Sequence, residues 1–471
     1  MSPLTLWLTD RTRYTTGTSH CQTERYFKNH FGPTGYGIVR KAESLPLMTG
    51  SYTHAAFETL WKYLQQHDSF PTVAVIRQAI ADALGQYEKR IASRGYRGLL
   101  QSERGDEILR EQQYLITGLI WAVCRTVLPW IHTNYRILQA EQETIYVLDC
   151  TCGLGSGELD PARHDALGCL GIGQMLKQDA VAQHRTRGTL AYFEVKTTGS
   201  YLDNWAPQWE TKPQLAIGNF GIKERYGQDV EENYIIGLFK GQRKKVKSDD
   251  PFKDGQQVQD SAFCYGYFKA GNPPLATDDW KPAYEWVDDN GETKFARKPY
   301  AKAGVWEMIE GDWPTWVASH AADPSLTPAE VWVYSLPKSV LDKQVFLVGP
   351  LNRQAVQIES LKHQIVGEER RWQERLWKLY DAQEHGLSWV DPTFQALLQS
   401  LVSASWECRR FGTRHECEFT PICFRQEGWE DPLGTGKYIP RRPHHVPELD
   451  AAIARGLLPE QSEDDEEGED G

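Results

Sequence analysis

The stretch that decides the fold is QDAVAQHRTRGTLAYFEVKTTG, residues 178–199. Its second half contains Leu190–Val195, a run of apolar and aromatic residues that is typical of a buried strand. A turn at Thr186–Gly188 precedes this run, and Asp179 stands on the far side of the turn. This order predicts a β-hairpin that carries Asp179 on one strand and Glu194 on the other.

The hairpin predicts a chemical site because side chains alternate along a strand. Glu194 and Lys196 are two residues apart and therefore face the same side, while Val195 points into the core. Asp179 brings a second carboxylate to that side. Carboxylate oxygens suit Mg²⁺ or Mn²⁺, which polarise a phosphodiester and help to produce the attacking hydroxide. A lysine beside the ion can position or deprotonate the water.

Two alternatives stay open from these residues alone. An E-x-K sequence also occurs as an ordinary surface pair on a strand. The aspartate position has competitors as well: Glu158, Asp160 and Asp165 lie in the preceding loop, and Gln174 would imply an inactive protein if it occupied the position. We favour Asp179, because alternating apolar residues follow it and its spacing to the next strand suits a hairpin.

A histidine upstream makes the pattern more specific. The stretch LMTGSYTHAAFETL, residues 47–60, places His54 at the start of an apolar helix, where a structural hydrogen bond is its commoner use. The order G-x-x-x-H-x-x-x-E, then aspartate, then E-x-K, then a glutamine motif resembles the RecB-like branch of the PD-(D/E)xK nucleases. The resemblance implies an α/β fold: a restriction-endonuclease-like core with a mixed central sheet flanked by helices.

The resemblance also implies roles for individual residues. The metal ligands would be His54, Asp179, Glu194 and the backbone carbonyl of Val195, and Lys196 would be the catalytic lysine.

The glutamine motif falls on Gln214, which the resemblance places against the lysine or the DNA backbone. The family usually has tyrosine four residues later, where this chain has Gly218. Tyr226 or Trp209 is an alternative source of that contact.

Three cysteines close to one another near the C-terminus predict a second metal centre. Cys408, Cys417 and Cys423 occur in WECRRFGTRHECEFTPIC, and clustered thiolates are ligands for zinc or for iron–sulphur clusters. With Cys21 they resemble the one-plus-three [4Fe–4S] arrangement of AddB-type and CRISPR-associated RecB-like exonucleases, including phage-borne forms. Eight residues separate the first two, where that subclass commonly has two. Zinc with His415 is the alternative.

The other cysteines carry no ligand pattern that we recognise. Cys124, Cys150, Cys152, Cys169 and Cys264 are therefore expected to be incidental. The stretch Ile145–Gly157 resembles a methyltransferase strand and glycine loop, but Pro161 interrupts the helix that should follow. We interpret it as a strand and a flexible loop of the nuclease core.

Composition adds little about function. The net charge of −12 falls to −4 without residues 460–471, which hold eight acidic residues, so charge neither supports nor excludes DNA. No apolar run reaches the roughly 18 residues that span a bilayer, and the N-terminus lacks the order of a secretory signal. We expect a soluble, cytoplasmic protein without a membrane partner.

The chain divides into five predicted segments, listed here in order: a nuclease core, 1–240, with the N-terminal cysteine and a helical segment; an aromatic-rich insertion, 241–330; a strand and long helix packing on the core, 331–400; a cysteine module, 401–445; and an acidic disordered tail, 446–471. Within them we predict a hairpin at the Asn290-Gly291 turn and place the long helix at roughly Arg353–Glu384. Arg243, Lys244 and Lys245 either form a solvated loop or grip DNA phosphates.

The predicted function is metal-dependent hydrolysis of DNA, which the resemblance implies to be exonucleolytic on single strands or duplex ends. Recombination, repair or phage DNA processing would be its setting, with a helicase or recombinase as an expected partner. The alternative is a non-catalytic, iron–sulphur-stabilised protein that binds DNA or acts as a scaffold.

The cysteine pattern gives a first testable prediction. Anaerobically purified protein should be brown, with the broad visible absorbance of an iron–sulphur cluster. Changing Cys21, Cys408, Cys417 or Cys423 to Ser should lower iron content and solubility, because each removes one thiolate ligand. The matched control, Cys264→Ser, should keep the iron. Iron-free, colourless protein from an anaerobic preparation would contradict the prediction.

Overall fold

The computed structural model describes most of the chain outside the inserted segment and the termini. The described residues are 7–14, 22–40, 45–93, 105–155, 157–158, 163–164, 167, 169–199, 202–240, 341–342, 344–400, 417, 419–423, 429–443 and 445–458, with five short strands between 243 and 309.

The strands of this part of the chain are, in order, β1 (Trp7–Asp10), β2 (Ile38–Arg40), β3 (Tyr135–Asp149), β4 (Gly157–Glu158), β5 (Ile172–His184), β6 (Leu190–Thr198), β7 (Val230–Phe239), β8 (Arg243–Lys245), β9 (Gln257–Gln259), β10 (Tyr284–Val287), β11 (Thr293–Arg297), β12 (Glu307–Ile309), β13 (Val345–Leu351) and β14 (Tyr438–Pro440).

The helices are α1 (Gln22–Asn29), α2 (Leu45–His67), α3 (Val73–Ser93), α4 (Gly105–Arg125), α5 (Val127–Asn134), α6 (Leu202–Trp205), α7 (Gln214–Gly218), α8 (Ile222–Tyr226), α9 (Ala355–Glu384), α10 (Pro392–Ser400), α11 (Thr420–Cys423) and α12 (Val446–Ala454), with a 3₁₀ turn at Ala206–Glu210.

A mixed seven-stranded sheet forms the centre of the fold, in the order β13-β7-β6-β5-β3-β4. The short strand β1 adds to it by running parallel to the first residues of β5. Strands β5 and β6 are antiparallel, whereas β6 and β7 are parallel. With helices packed against it, this sheet makes the chain an α/β protein, as the sequence predicted.

The hairpin predicted from residues 178–199 is present. It is closed by a hydrogen bond of 2.8 Å from His184 N–H to the Thr189 carbonyl, and Ala180 pairs with Phe193. The predicted strand at Leu190–Val195 continues to Thr198.

Two other local predictions are also confirmed. Strands β10 and β11 form the hairpin expected around Asn290-Gly291, although the turn itself lies outside the described residues. The long helix expected at 353–384 begins at Ala355, behind a capping box at Gln354.

A cluster of buried apolar side chains joins helices α2 to α5 to the sheet. Phe57, Leu60 and Leu64 recur three and four residues apart on α2, and all three are buried. Among the described residues, no single helix is long and apolar enough to cross a membrane, though the bent pair Leu115–Arg125 and Val127–Asn134 passes that test together.

The long helix α9 connects the N-terminal segment to the C-terminal one. Trp372 and Leu376 pack in one apolar cluster with Tyr26 and Phe27 of α1. Glu369, which is fully buried, accepts hydrogen bonds from three residues of the N-terminal segment. Those donors are Arg25 Nη2 at 2.5 Å, Thr9 Oγ1 at 2.9 Å and Trp7 Nε1 at 3.0 Å.

The C-terminal segment is more ordered than its composition suggested. We predicted a disordered tail over 446–471, but Val446–Ala454 is the helix α12. The carboxylate of Glu448 accepts two hydrogen bonds from Arg13 Nη2, at 2.6 and 2.7 Å, and both side chains are buried. We did not predict this helix, because the residue with which it pairs lies 435 positions away in the sequence. Residues 459–471 lie outside the described residues.

The buried ion pair generates a second prediction. Glu448→Ala should lower the free energy of unfolding by about 1–3 kcal/mol, because the buried Arg13 guanidinium loses two hydrogen bonds and retains the Asp10 carboxylate, 3.3 Å away, as its ion-pair partner. Chemical denaturation measures the change. Asp450→Ala, on an exposed position of the same helix, is the matched control and should change stability by less than about 0.5 kcal/mol. Equal effects of the two substitutions would show that α12 does not dock through this pair.

Candidate active site

The two carboxylates predicted from the hairpin lie together. Ala180 pairs with Phe193, so the adjacent Asp179 and Glu194 stand beside each other on β5 and β6. Asp179 Oδ2 also accepts a hydrogen bond of 2.7 Å from the backbone N–H of Val195. This bond fixes the aspartate against the middle residue of the E-x-K sequence.

His54 reaches the same place from helix α2. Its Nε2 lies 2.8 Å from the carbonyl oxygen of Val195, to which it donates a hydrogen bond, and 3.8 Å from Asp179 Oδ2. The structure therefore brings together three of the four metal ligands implied by the resemblance, namely His54, Asp179 and the Val195 carbonyl. Glu194 is next to Asp179 on the neighbouring strand, but its carboxylate is not part of the group of donor atoms that lie within 4.8 Å of one another. Gly50, one turn earlier on α2, allows this approach, because a Cβ there would lie 2.8 Å from the Thr197 hydroxyl.

A third acid, Glu141, joins the site from the neighbouring strand β3. Ala140 pairs with Ala180 and Gln142 with Gln178, so Glu141 stands opposite Asp179. Its Oε1 lies 4.0 Å from His54 Nδ1. One donor atom each from His54, Glu141 and Asp179 fall within 4.8 Å of one another, so these residues could hold a metal ion.

The backbone of Glu141 is strained, with φ of 48° inside a strand. The sequence analysis did not identify this residue. Its nearest local signal is the apolar run at 145–148, which does not point to an acid several residues earlier.

Cations surround the carboxylate of Glu194. Its Oε1 lies 2.7 Å from Lys196 Nζ and 3.2 Å from Arg11 Nη1. Gln214 also donates to Oε1, and the Tyr192 hydroxyl donates to Oε2. Glu194 is thus held by four side chains, one of which, Arg11, the sequence analysis missed. Arg11 follows β1, whose place beside β5 only the tertiary structure reveals.

The three acids differ in their affinity for protons. Burial by itself raises the pKa of Glu194, but the charges of Lys196 and Arg11 outweigh burial and lower that pKa to about 2. Burial, followed by the charge of Glu194, raises the pKa of Asp179. Burial and the charge of Asp179 raise the pKa of Glu141 to about 9. Without a cation, the site therefore holds Glu194 ionised and Glu141 protonated at neutral pH, while the pKa of Asp179 is raised.

Packing explains why this chain has Gly218 where the resembling family usually has tyrosine. A Cβ at this position would lie 2.5 Å from the ring of Tyr192, so the glycine makes room for that ring. Tyr192 in turn brings its hydroxyl to Glu194. The two substitutes suggested by the sequence lie elsewhere: the hydroxyl of Tyr226 is 3.3 Å from Gln139 Oε1, and Trp209 packs against Trp205.

The competitors for the aspartate position are placed differently from Asp179. Gln174 pairs with Thr9 of β1 and Tyr146 of β3, at the other end of β5. Glu158 lies in β4 at the edge of the sheet. Asp160 and Asp165 lie outside the described residues.

The predicted iron–sulphur ligands are only partly described. Cys21 and Cys408 lie outside the described residues, while Cys417 is half-buried and Cys423 is exposed. Phe419, between the last two, stacks on Phe27 of α1 with ring centroids 5.6 Å apart. The helix that begins immediately after position 21 therefore packs against the segment that carries Cys417 and Cys423.

The basic run at 243–245 differs from the predicted loop. Arg243, Lys244 and Lys245 form β8, which pairs with β9.

Three of the cysteines expected to be incidental are not scattered. Cys150, Cys152 and Cys169 come together with His164, with one ligand atom of each within 4.8 Å of the others, and this cluster could bind a metal. Cys150 and Cys152 lie in the loop that we expected after β3. The sequence signal was the C-x-C pair at 150–152 followed by a histidine and a third cysteine.

Comparisons with known proteins do not identify this chain: no family model and no curated protein matches it.

The acid cluster generates a third prediction. In metal-free protein, the free energy of unfolding should fall as the pH rises from about 5 to about 9. Folded Glu141 keeps its proton up to a pKa of about 9, whereas the unfolded side chain loses it near 4.5, so raising the pH favours the unfolded state.

Glu141→Gln should flatten this slope, and Glu231→Gln, at an exposed position of β7, should not. Thermal denaturation across the pH range measures both variants. Parallel slopes for Glu141→Gln and the wild type would contradict the raised pKa.

Proposed function

We propose that the chain is a metal-dependent DNA nuclease of the PD-(D/E)xK, RecB-like type, with a restriction-endonuclease-like core. One observation carries the proposal: His54 and Asp179 both contact the backbone of Val195, the residue between Glu194 and Lys196. These residues come from a helix and two strands, so a surface E-x-K pair does not explain the convergence. The rival, an inactive scaffold, depended on Gln174 at the aspartate position, and Gln174 stands away from Glu194.

The donor atoms fit a small divalent cation. Octahedral Mg²⁺ with bonds of about 2.1 Å places adjacent ligands about 3 Å apart and opposite ones about 4 Å apart. His54 Nε2 lies 2.8 Å from the Val195 carbonyl and 3.8 Å from Asp179 Oδ2, in the same range. Glu141 Oε1 is buried and accepts no hydrogen bond from the described residues. Mg²⁺ or Mn²⁺ would neutralise these acids.

The residues that would hold the cation are His54, Asp179, Glu194, the Val195 carbonyl and Glu141. When bound, the cation supplies Lewis-acid activation of the phosphodiester and of the attacking water. Oxygen ligands with one imidazole agree with these metals.

Lys196 has the position that general acid–base and electrostatic catalysis require. Its ammonium lies 2.7 Å from Glu194 Oε1, at the edge of the ligand set. There it can orient a water and offset the charge that develops on the phosphate oxygens. Gln214 shares the same carboxylate oxygen and so keeps Glu194 in one orientation.

Further cations beside Lys196 suit a phosphate backbone. Lys212 lies 4.5 Å above the Trp209 ring, and burial together with the charge of Lys196 lowers its pKa. Burial lowers the pKa of Lys240, at the end of β7, to about 8. A phosphate brought to these lysines would restore their full charge. The basic strand Arg243–Lys245 follows Lys240 in the chain and would extend the contact with the phosphate backbone. The substrate would be single-stranded DNA or a duplex end.

We also propose that Cys21, Cys408, Cys417 and Cys423 hold a [4Fe–4S] cluster in a C-terminal iron–sulphur module. Packing of α1 against the segment that carries Cys417 supports this arrangement, since α1 begins directly after Cys21. Such a cluster would close a loop of nearly the whole chain, whose entropy of closure is otherwise unfavourable.

The fourth prediction tests the nuclease. With Mn²⁺, the wild type should degrade labelled single-stranded or duplex DNA, and Lys196→Ala should lower the rate by about 10²–10⁴-fold, because it removes a group that acts in the transition state. Lys223→Ala, at an exposed lysine paired with Asp229, is the matched control and should cleave like the wild type.

Calorimetry separates metal binding from chemistry. Lys196→Ala should bind Mn²⁺, whereas Asp179→Asn should bind it weakly and cleave nothing. A wild type that binds Mn²⁺ but cleaves no DNA would refute the nuclease, and one that does neither would favour the scaffold.

A further inference from the structure

A second cluster of metal-ligating side chains lies at the opposite end of β5 from Asp179. It occupies the connection between the end of β3 at Asp149 and the start of β5 at Ile172. Cys150, Cys152, His164 and Cys169 supply its donor atoms. None of the contacts of the candidate active site involves these residues.

The distances between the donor atoms are close to those of a tetrahedral zinc site, except that the sulphurs of Cys150 and Cys152 are about 0.6 Å nearer to each other. Zn–S bonds of about 2.3 Å and Zn–N bonds of about 2.0 Å place two sulphurs about 3.8 Å apart, and a sulphur and a nitrogen about 3.5 Å apart. Cys150 Sγ lies 3.2 Å from Cys152 Sγ and 3.8 Å from Cys169 Sγ. His164 Nδ1 lies 3.3 and 3.6 Å from the sulphurs of Cys152 and Cys150.

The burial of His164 is a second, independent observation. Its side chain is fully buried, and its Nδ1 points at the sulphurs. The other ring nitrogen, Nε2, has no hydrogen-bond partner among the described residues. Because Nδ1 faces only thiol groups, which are weak hydrogen-bond partners, the buried imidazole gains little there unless a stronger interaction forms at that nitrogen. A metal ion would provide that interaction.

The surrounding backbone holds the ligands in place. The Thr151 hydroxyl accepts a hydrogen bond of 2.9 Å from Leu170 N–H, tying the C-x-C pair to the segment of Cys169. A Cβ at Gly171 would lie 2.1 Å from the Asp149 carbonyl, so the two ends of the connection touch there. Among the described residues, the apolar cluster around Cys169 contains three other buried residues, Ile145, Val147 and Met175. Apolar packing therefore contributes little to the stability of the connection between β3 and β5.

We propose that Cys150, Cys152, His164 and Cys169 bind one structural Zn²⁺ that closes the connection between β3 and β5. All four ligands come from the protein, which is the arrangement of structural zinc sites rather than catalytic ones. Donor atoms within 4.8 Å of one another leave room for a single ion, so this site is separate from the proposed iron–sulphur cluster. The ion stabilises the strand pair that carries Glu141 and Asp179.

The fifth prediction is that the whole protein, purified without added metal under reducing conditions, contains one zinc per chain. X-ray absorption at the zinc edge should give three sulphur neighbours near 2.3 Å and one nitrogen near 2.0 Å. Release with a mercurial thiol reagent, followed with a zinc-sensitive dye, should liberate that ion. The absorption measurement uses the wild type, so it decides the question even if ligand variants fold poorly.

Variants then assign the ligands. Cys150→Ser with Cys152→Ser should lower the zinc content at least tenfold while the iron content is unchanged, because the proposed cluster uses other cysteines. Cys124→Ala, at a buried cysteine of α4 outside the site, should keep one zinc. Full zinc in the double variant, a zinc shell with fewer than three sulphurs, iron in place of zinc at these ligands, or a Cys150–Cys152 disulfide in the reduced preparation would each overturn the proposal.

Discussion

The hydrogen bond from Val195 N–H to Asp179 fixes the register on which the rest of the site depends. Side chains alternate along a strand, so a slip of one residue between β5 and β6 would turn Glu194 and Lys196 into the core and Val195 out of it. With the register fixed, the Val195 carbonyl is left to face His54. The other contacts of the site form only when β5 and β6 pair in this register.

The same pairing has an electrostatic cost, because it gathers three acids in a region with little water. The protein offsets the charge unevenly. Lys196 and Arg11 compensate Glu194 directly, while among the described residues no lysine or arginine forms an ion pair with both Asp179 and Glu141. Lys177, the nearest to Glu141, lies 3.6 Å away and also faces Glu58. Acids that are not fully compensated lower the stability of the metal-free protein and raise its affinity for a cation.

Local features were predictable from the sequence, and long-range ones were not. The hairpin of Asp179 and Glu194 has its turn and its alternation within one short stretch, so the sequence predicted both strands and their pairing. Arg11 and Glu141 join the site only because β1 and β3 flank β5, and neither carries a local signature. The helix at Val446–Ala454 resembled a polar tail, because its ion-pair partner is 435 positions away.

The route of the N-terminal segment through the structure has a consequence for synthesis. Arg11 contacts Glu194, and two residues further on Arg13 pairs with Glu448 of the last described helix. At about 5–20 residues per second, the ribosome needs roughly 20–90 s to make the 435 positions between Arg13 and its partner. During that interval, the segment bearing Arg11 is not yet anchored by α12. Residue 13 therefore receives its contact with α12 only after residue 448 has been made, later than β1 can pair with β5.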